Sequence, residues 1–374
     1  MKYFFTFAVA LLALVSCNEV DEGISYTRTS FPVGEVKWRS DVNDADRAVI
    51  AGLIDNMIKV EACQTFMGQQ ARSTHRANFY SLLQQHDTIW HRKGEPRAYW
   101  RDLKTADTLW YDAGIDYFNN TYSTKYDTVS YSLIYRSGAL WVGPVVELSM
   151  PDYYIGKFEV TQAQWMAVMH RAPKGSYCVL PDKSGTAAWY AEFGLGDNVA
   201  AYNIWYEDAV DFCEELSSKT GLSFRLPTEA EWECAARGGK YCRGYKYAGS
   251  DEFTKVAWTH SNACAQKIGS PDYGIHAGGE LLANELGLCD MSGNVAEWVG
   301  NAYYRYSRRD TINPQGVVPT MTSADTLILR GGSWMQAKYS DFCVGNRKQC
   351  IMSSYADEES KQSAFMNCGF RVAL

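Results

Sequence analysis

Over residues 41–56 the apolar positions follow a helical rhythm, with Ala45, Val49, Leu53 and Ile54 on one face. Residues 57–68 are a short apolar run that predicts a buried strand pair. From residue 76 to about 143 the pattern turns β-rich, and a phrase recurs at even spacing: Asp87-Thr88-Ile89-Trp90, Asp107-Thr108-Leu109-Trp110 and Asp127-Thr128-Val129-Ser130-Tyr131. Polar stretches between the phrases predict three successive strands or hairpins. Helices return in the second half. Thr161-Gln162-Ala163-Gln164 is a capping box opening a helix through Met169, and Pro227-Thr228-Glu229-Ala230-Glu231 is a second that runs to Gly238-Gly239. Between them Ala209, Phe212, Cys213 and Leu216 mark an amphipathic helix with Gly221 as its C-cap residue. Beyond residue 239 Gly, Asn and Asp alternate with short apolar runs, which predicts a fold held by loops and tight turns.

The N-terminus has a different character. Lys2 is followed by an apolar run from Tyr3 to Leu14, too short to span a bilayer, and small residues close it at Leu14-Val15-Ser16-Cys17. That ending resembles the lipobox of bacterial lipoproteins, which implies a signal peptide over residues 1–16, a lipidated Cys17 and a tether over residues 17–40. Asn18 and the acidic Glu19-Val20-Asp21-Glu22 imply, by analogy with other lipoproteins, an outer-membrane and surface-exposed location. The charge of −7 and the lack of a Lys/Arg cluster argue against nucleic-acid binding. Twelve Trp, 25 Tyr and 15 Phe require many rings to be buried or presented for contact. Besides Cys17 there are ten cysteines, an even number that suits disulfides in an oxidising compartment; no C-x-x-C occurs, and connectivity stays open.

Five ordered motifs then give a specific resemblance. These are Tyr153-Tyr154-Ile155-Gly156-Lys157-Phe158-Glu159-Val160-Thr161, Arg225-Leu226-Pro227-Thr228-Glu229-Ala230-Glu231-Trp232-Glu233, Gly287-Leu288-Cys289-Asp290-Met291-Ser292-Gly293-Asn294-Val295-Ala296-Glu297-Trp298, Leu329-Arg330-Gly331-Gly332-Ser333-Trp334 and Gly369-Phe370-Arg371-Val372. In this order they resemble the formylglycine-generating-enzyme, or sulfatase-modifying-factor, family. The resemblance implies an α+β, C-type-lectin-like fold with little regular secondary structure. It covers roughly residues 57–374 and implies a domain over 41–374, with core segments 57–75 and 144–374 and a β-rich insertion at 76–143. Arg225, Glu229, Glu231 and Arg371 are expected to form a buried ion-pair network around Trp232, Trp298 and Trp334.

Enzymes of the family oxidise a substrate cysteine with copper(I) held by two thiolates, ligands soft enough for that ion. The matching stretch, residues 331–342, contains no cysteine, and Gln336 stands at the first ligand's place. Copper is therefore not expected. A shifted Cys343/Cys350 pair is the reading that would rescue catalysis. The iron-dependent branch of the family needs a His-x-x-x-His-x-Glu helix, a spacing that His75, His86, His91, His170, His260 and His276 do not provide. The resemblance also implies candidate bridges Cys234–Cys343 and Cys213–Cys368. It further implies one structural calcium, held by the side chains of Asp290 and Glu297 and the carbonyls of Gly293 and Val295. A second family site would use Asn262 and the Ala263 carbonyl, with Asp272 the only nearby aspartate.

Three functions follow as expectations: a non-catalytic lipoprotein scaffold for an envelope partner, protein or glycan; a formylglycine-type copper oxidase; or a receptor presenting Tyr339, Phe342, Tyr355 and Phe365 from a loop at residues 335–367.

Overall fold

The computed structural model describes residues 36–68, 86–91, 97–102, 108–116, 121–124, 146–174, 189–303, 326–338, 341–351 and 367–374. Helix α1 (Asp44–Asp55) opens on Asn43, whose side chain accepts from the Asp46 N–H, and carries Asp44 and Asp46 in its first turn, where carboxylates suit the helix dipole. Its buried stripe is Ile50, Leu53 and Ile54. Ala45 faces solvent instead, so the apolar face starts about one turn later than the sequence rhythm suggests.

Strands β1 (Met57–Val60) and β2 (Cys63–Met67) do not pair with each other as expected. After the insertion strands β3 (His86–His91), β4 (Arg97–Asp102), β5 (Thr108–Asp116) and β6 (Thr121–Thr124), the chain returns as β7 (Val146–Met150) and β8 (Tyr153–Gly156). β1 pairs antiparallel with β8 and β2 with β7, so one long ribbon is interrupted at its middle. Pro151 sits at that interruption and has no N–H for a ladder; next to it the Asp152 carboxylate takes the Ala62 N–H at 2.6 Å. The insertion strands form their own antiparallel sheet in the order β3-β4-β5-β6. The first recurring phrase falls on β3 and residues 108–110 of the second on β5, with β4 between them; Asp107 and the third phrase lie outside the described residues.

Both capping boxes form as read. Helix α2 (Gln162–Met169) starts at Thr161, α3 (Tyr206–Thr220) ends at Gly221 with φ 71°, and α4 (Glu229–Ala236) starts at Thr228. Ala209, Phe212, Cys213 and Leu216 are buried on α3 as expected. The remaining strands are short: β9 (Ala257–Trp258), β10 (Ser292–Gly293), β11 (Ala296–Trp298), β12 (Thr326–Arg330), β13 (Lys348–Ile351) and β14 (Cys368–Gly369). β13, β12, β11 and β14 form the central sheet in that order, with β11 parallel to β14.

Aromatic packing fills the interior. Trp165 stacks on Phe212 at 5.7 Å between ring centroids, and Phe370 meets Phe212 edge-on at 5.1 Å. Trp232, Trp298 and Trp334 are buried as the sequence implied.

The expected single ion-pair network is instead three separate ones. Arg225 reaches Glu231 from the surface, with 42% of its side chain exposed. Glu229 is gripped by Arg347 at 2.5 and 2.6 Å, while Arg330 bridges Glu229 and Glu233, and Glu233 also takes Arg237. Arg371 pairs with Glu297. Glu231 is also the N3 residue of the Thr228 capping box, its carboxylate accepting from the Thr228 N–H as well as from Arg225, so it is engaged at the start of α4 rather than with the interior pairs.

Candidate functional site

The turn at Gly331 and Gly332, with φ 81° and 73°, carries the chain from β12 past Trp334. A Cβ on Gly332 would lie 2.8 Å from both the Asp341 carbonyl and Gln336 Oε1, so only glycine fits this crossing. Gln336 folds back into the turn: its Oε1 accepts from the Ser333 N–H at 2.7 Å, its N–H donates to the Ser333 carbonyl, and its carbonyl accepts from the His260 N–H at 3.1 Å. The place where the resemblance puts a copper thiolate is thus held by an amide that locks the turn. Cys343 lies in a separate apolar cluster with Tyr247, Val256 and Phe342, where burial pushes its thiol up to about 12. Cys350 lies on β13 opposite Leu327.

Beside this turn is a set of half-exposed rings. Phe193 lies 6.2 Å from Trp334 and 6.4 Å from Tyr273, Tyr273 meets Trp334 edge-on at 5.4 Å, and Tyr190 meets Phe193 at 5.6 Å. Trp258 on β9 stacks flat on His276 at 3.6 Å. Exposed Met335 and His260 border the same surface. Of the four residues expected to present a binding loop, Phe342 is only 1% exposed and packs against Tyr247 and Phe253, so it belongs to the core. Tyr339, Tyr355 and Phe365 lie outside the described residues. Phe193, Tyr273 and Trp258 were missed because they are isolated in sequence; only the fold assembles them.

The implied calcium ligands surround a second feature. Asp290, Gly293 and Asn294 all take left-handed backbone angles, coiling residues 290–295 tightly. Asp290 Oδ2 accepts from the Gly279 N–H at 2.8 Å. Glu297 receives Arg371 Nε at 2.6 Å, Arg371 Nη2 at 2.8 Å and Trp232 Nε1 at 2.8 Å. Glu159, inside the first family motif, joins them: it accepts from Asn294 Nδ2 at 2.6 Å and from the Val295 N–H at 3.1 Å. Three buried carboxylates therefore gather around one guanidinium. Desolvation, then Asp290 and Glu297, hold the Glu159 carboxyl well above the ordinary glutamate range. The charge suits a divalent cation, which would share Glu297 with Arg371. Among the described residues no three His, Cys, Asp or Glu side chains converge on one metal position, so the backbone carbonyls would have to supply ligands. Asn262, by contrast, is used up as a cap: its Oδ1 accepts from the Thr259 N–H at 2.7 Å and its Nδ2 donates to the Ala257 carbonyl.

The candidate bridges are not formed. No disulfide joins the described cysteines, and the sulfur facing Cys234 belongs to Cys63, at 3.7 Å, not to Cys343. Cys213 is buried on α3 as a thiol whose pKa burial raises, and Cys368 is on β14. Cys17 and residues 1–35 lie outside the described residues.

The sulfatase-modifying factor enzyme 1-like domain matches residues 103–374. The chain belongs to that family. It is 31% identical to the chaperone protein LppX of Paenibacillus barcinonensis, covering 40% of this chain and 62% of that one. It is 30% identical to the formylglycine-generating enzyme of Mycobacterium tuberculosis, covering 50% of this chain and 62% of the relative. The chain thus spans less than two thirds of these relatives. A solved structure of PvdO from Pseudomonas aeruginosa matches with a TM-score of 0.51 at 18% identity, over 85% of this chain and 93% of that one, which shows the shared fold. This sulfatase-modifying-factor domain is the expected α+β architecture with modest regular secondary structure.

Proposed function

We propose that this chain is an exported protein, anchored in the outer membrane through lipid on Cys17, whose sulfatase-modifying-factor domain binds an envelope partner and does not oxidise cysteine. The observation that carries this reading is the Gln336 amide bonded into the turn where the family's catalysis calls for a thiolate. A carboxamide oxygen is a hard donor and is poorly matched to copper(I). Anchorage is assigned to lipid because Leu14-Val15-Ser16-Cys17 resembles a lipobox. The half-exposed Phe193, Tyr273 and Trp258 rings offer the aromatic contact area that binding sites favour. A chaperone-named relative points toward a protein partner.

Cross-linking and capture of the full chain from its own envelope tests this. A stoichiometric partner is expected with the native face and about tenfold less with Phe193→Ala/Tyr273→Ala, since aromatic anchors each carry more than about 1 kcal/mol. Equal capture by both proteins contradicts the role given to the face. Cys17→Ala should leave the membrane fraction or accumulate unprocessed; unchanged fractionation contradicts the anchor.

The same reading includes one structural calcium, held by the Asp290 and Glu297 carboxylates and the Gly293 and Val295 carbonyls, with Glu159 as the acid next to it. Without the ion, Glu159 is protonated in the native state at pH values where the unfolded chain has already ionised it. The native state then binds more protons, so stability falls as pH rises from about 4.5 toward the raised value. Calcium bound only to the native chain should raise Tm at pH 7.5 and flatten that decline. Glu159→Gln should flatten it in chelator. An unchanged Tm on adding calcium removes the ion from the account; an unchanged slope in Glu159→Gln removes Glu159.

A further inference from the structure

Cys63 opens β2 and Cys234 lies in the middle of α4, and their sulfurs stand 3.7 Å apart, a distance at which two thiols touch. We infer that Cys63 and Cys234 are a disulfide-forming pair, oxidised by an external disulfide such as oxidised glutathione, that clamps the β2–β7 ribbon to helix α4. A disulfide needs its sulfurs at about 2.0 Å, so they must close by somewhat under 2 Å, a shift that rotation of the partly exposed Cys63 side chain can supply. The two surroundings differ in a useful way. Cys63 is half-buried and reachable by an oxidant, whereas Cys234 is 1% exposed and sits against Tyr153, whose hydroxyl donates to the Glu231 carbonyl. The hydrogen bond from Cys234 lowers the Cys63 thiol, and the same contact with burial raises Cys234. Cys63 is thus the attacking thiolate and Cys234 the resolving thiol.

The exchange balances in two steps. The Cys63 thiolate attacks one sulfur of the external disulfide, forming a mixed disulfide and expelling one thiolate. Cys234 then loses its proton and attacks the Cys63 sulfur, expelling the second. Two protein thiols become one disulfide, and the external disulfide takes up two electrons and two protons as two thiols.

The location gives the bridge a purpose. The β2–β7 ribbon flanks the insertion along the chain, β2 ending at Met67 before it and β7 starting at Val146 after it, and α4 carries Glu229 and Glu233, which hold Arg347, Arg330 and Arg237. A bridge here fixes the base of the insertion to the most charged part of the interior. The chain enclosed, from residue 63 to residue 234, is long, which favours a large stabilising effect. It also replaces the Cys234–Cys343 pairing, because Cys234 has room for one partner and faces Cys63.

The test equilibrates the folded full chain with reduced and oxidised glutathione, blocks remaining thiols under denaturing conditions and maps peptides by mass. A Cys63–Cys234 cross-linked peptide, 2 Da below the sum of its parts, is expected, with a Tm about 5 °C or more above that of the reduced chain. Cys63→Ser, at the more exposed position, should abolish both while the protein stays folded by circular dichroism. Full alkylation of both residues after oxidation, or Cys234 linked to a different cysteine, overturns the inference. The peptide map uses the unaltered chain, so it decides even if Cys234→Ser fails to fold. Oxidant is supplied in the test, so the outcome is independent of whether the chain is exported.

Discussion

Arg371→Met should destabilise the domain by about 4 kcal/mol, a large share of a typical domain's total stability. Arg371 has no exposed surface, and its guanidinium makes two hydrogen bonds to Glu297 and three more to the Gly156, Lys157 and Cys289 carbonyls. Methionine replaces the volume and satisfies none of these acceptors. Glu297 would then be buried with only Trp232 Nε1 for company, beside Glu159 and Asp290, so the cost is an uncompensated charge more than a lost attraction. Adding Glu297→Gln should recover part of the loss by removing that charge. Urea unfolding of the single and double variants measures both. A single-variant loss below about 1 kcal/mol would mean the pair is no structural keystone.

Gly293→Ala should cost about 3 kcal/mol or more, and Gly269→Ala only about 1 kcal/mol. Both glycines have positive φ, 82° and 85°, so both variants bear the same left-handed strain. They differ in space. A Cβ on Gly293 would fall 2.2 Å from the Trp258 carbonyl oxygen and 2.7 Å from its nitrogen, whereas Gly269 has nothing within 4 Å. Relief requires β10 to move away from β9, whose Trp258 stacks on His276 in the aromatic face. Partner capture should therefore fall together with stability in Gly293→Ala. Thermal unfolding of the two variants side by side separates backbone strain from collision; equal losses would show that the collision is absorbed.

Legibility in the sequence followed the range of the interactions involved. Thr161 and Thr228 cap their own helices three residues on, and the Cys213–Leu216 stripe depends only on helical spacing, so all were readable. β1 and β2 are adjacent in sequence but find their partners some 90 residues later, after the insertion, and nothing local distinguishes that from a hairpin. Phe342 read as a loop aromatic because its burial comes from Tyr247 and Phe253, distant in the chain. The Cys63–Cys234 contact is hidden for the same reason. Glu159 stood inside a recognised motif, yet its chemical interest comes only from Asp290 and Glu297 being folded against it. Gln336 is the opposite case: the missing thiol was legible from one residue, and the structure adds that the amide is bonded into the turn.

The most direct test of the non-catalytic reading is an aldehyde assay. The purified full chain, reduced, loaded with copper(I) and supplied with oxygen and a Cys-x-Pro-x-Arg peptide, is predicted to give no more formylglycine than a copper-free control. Aldehyde formed with turnover and lost on Cys343→Ala would contradict it, because a thiolate site would then exist despite Gln336.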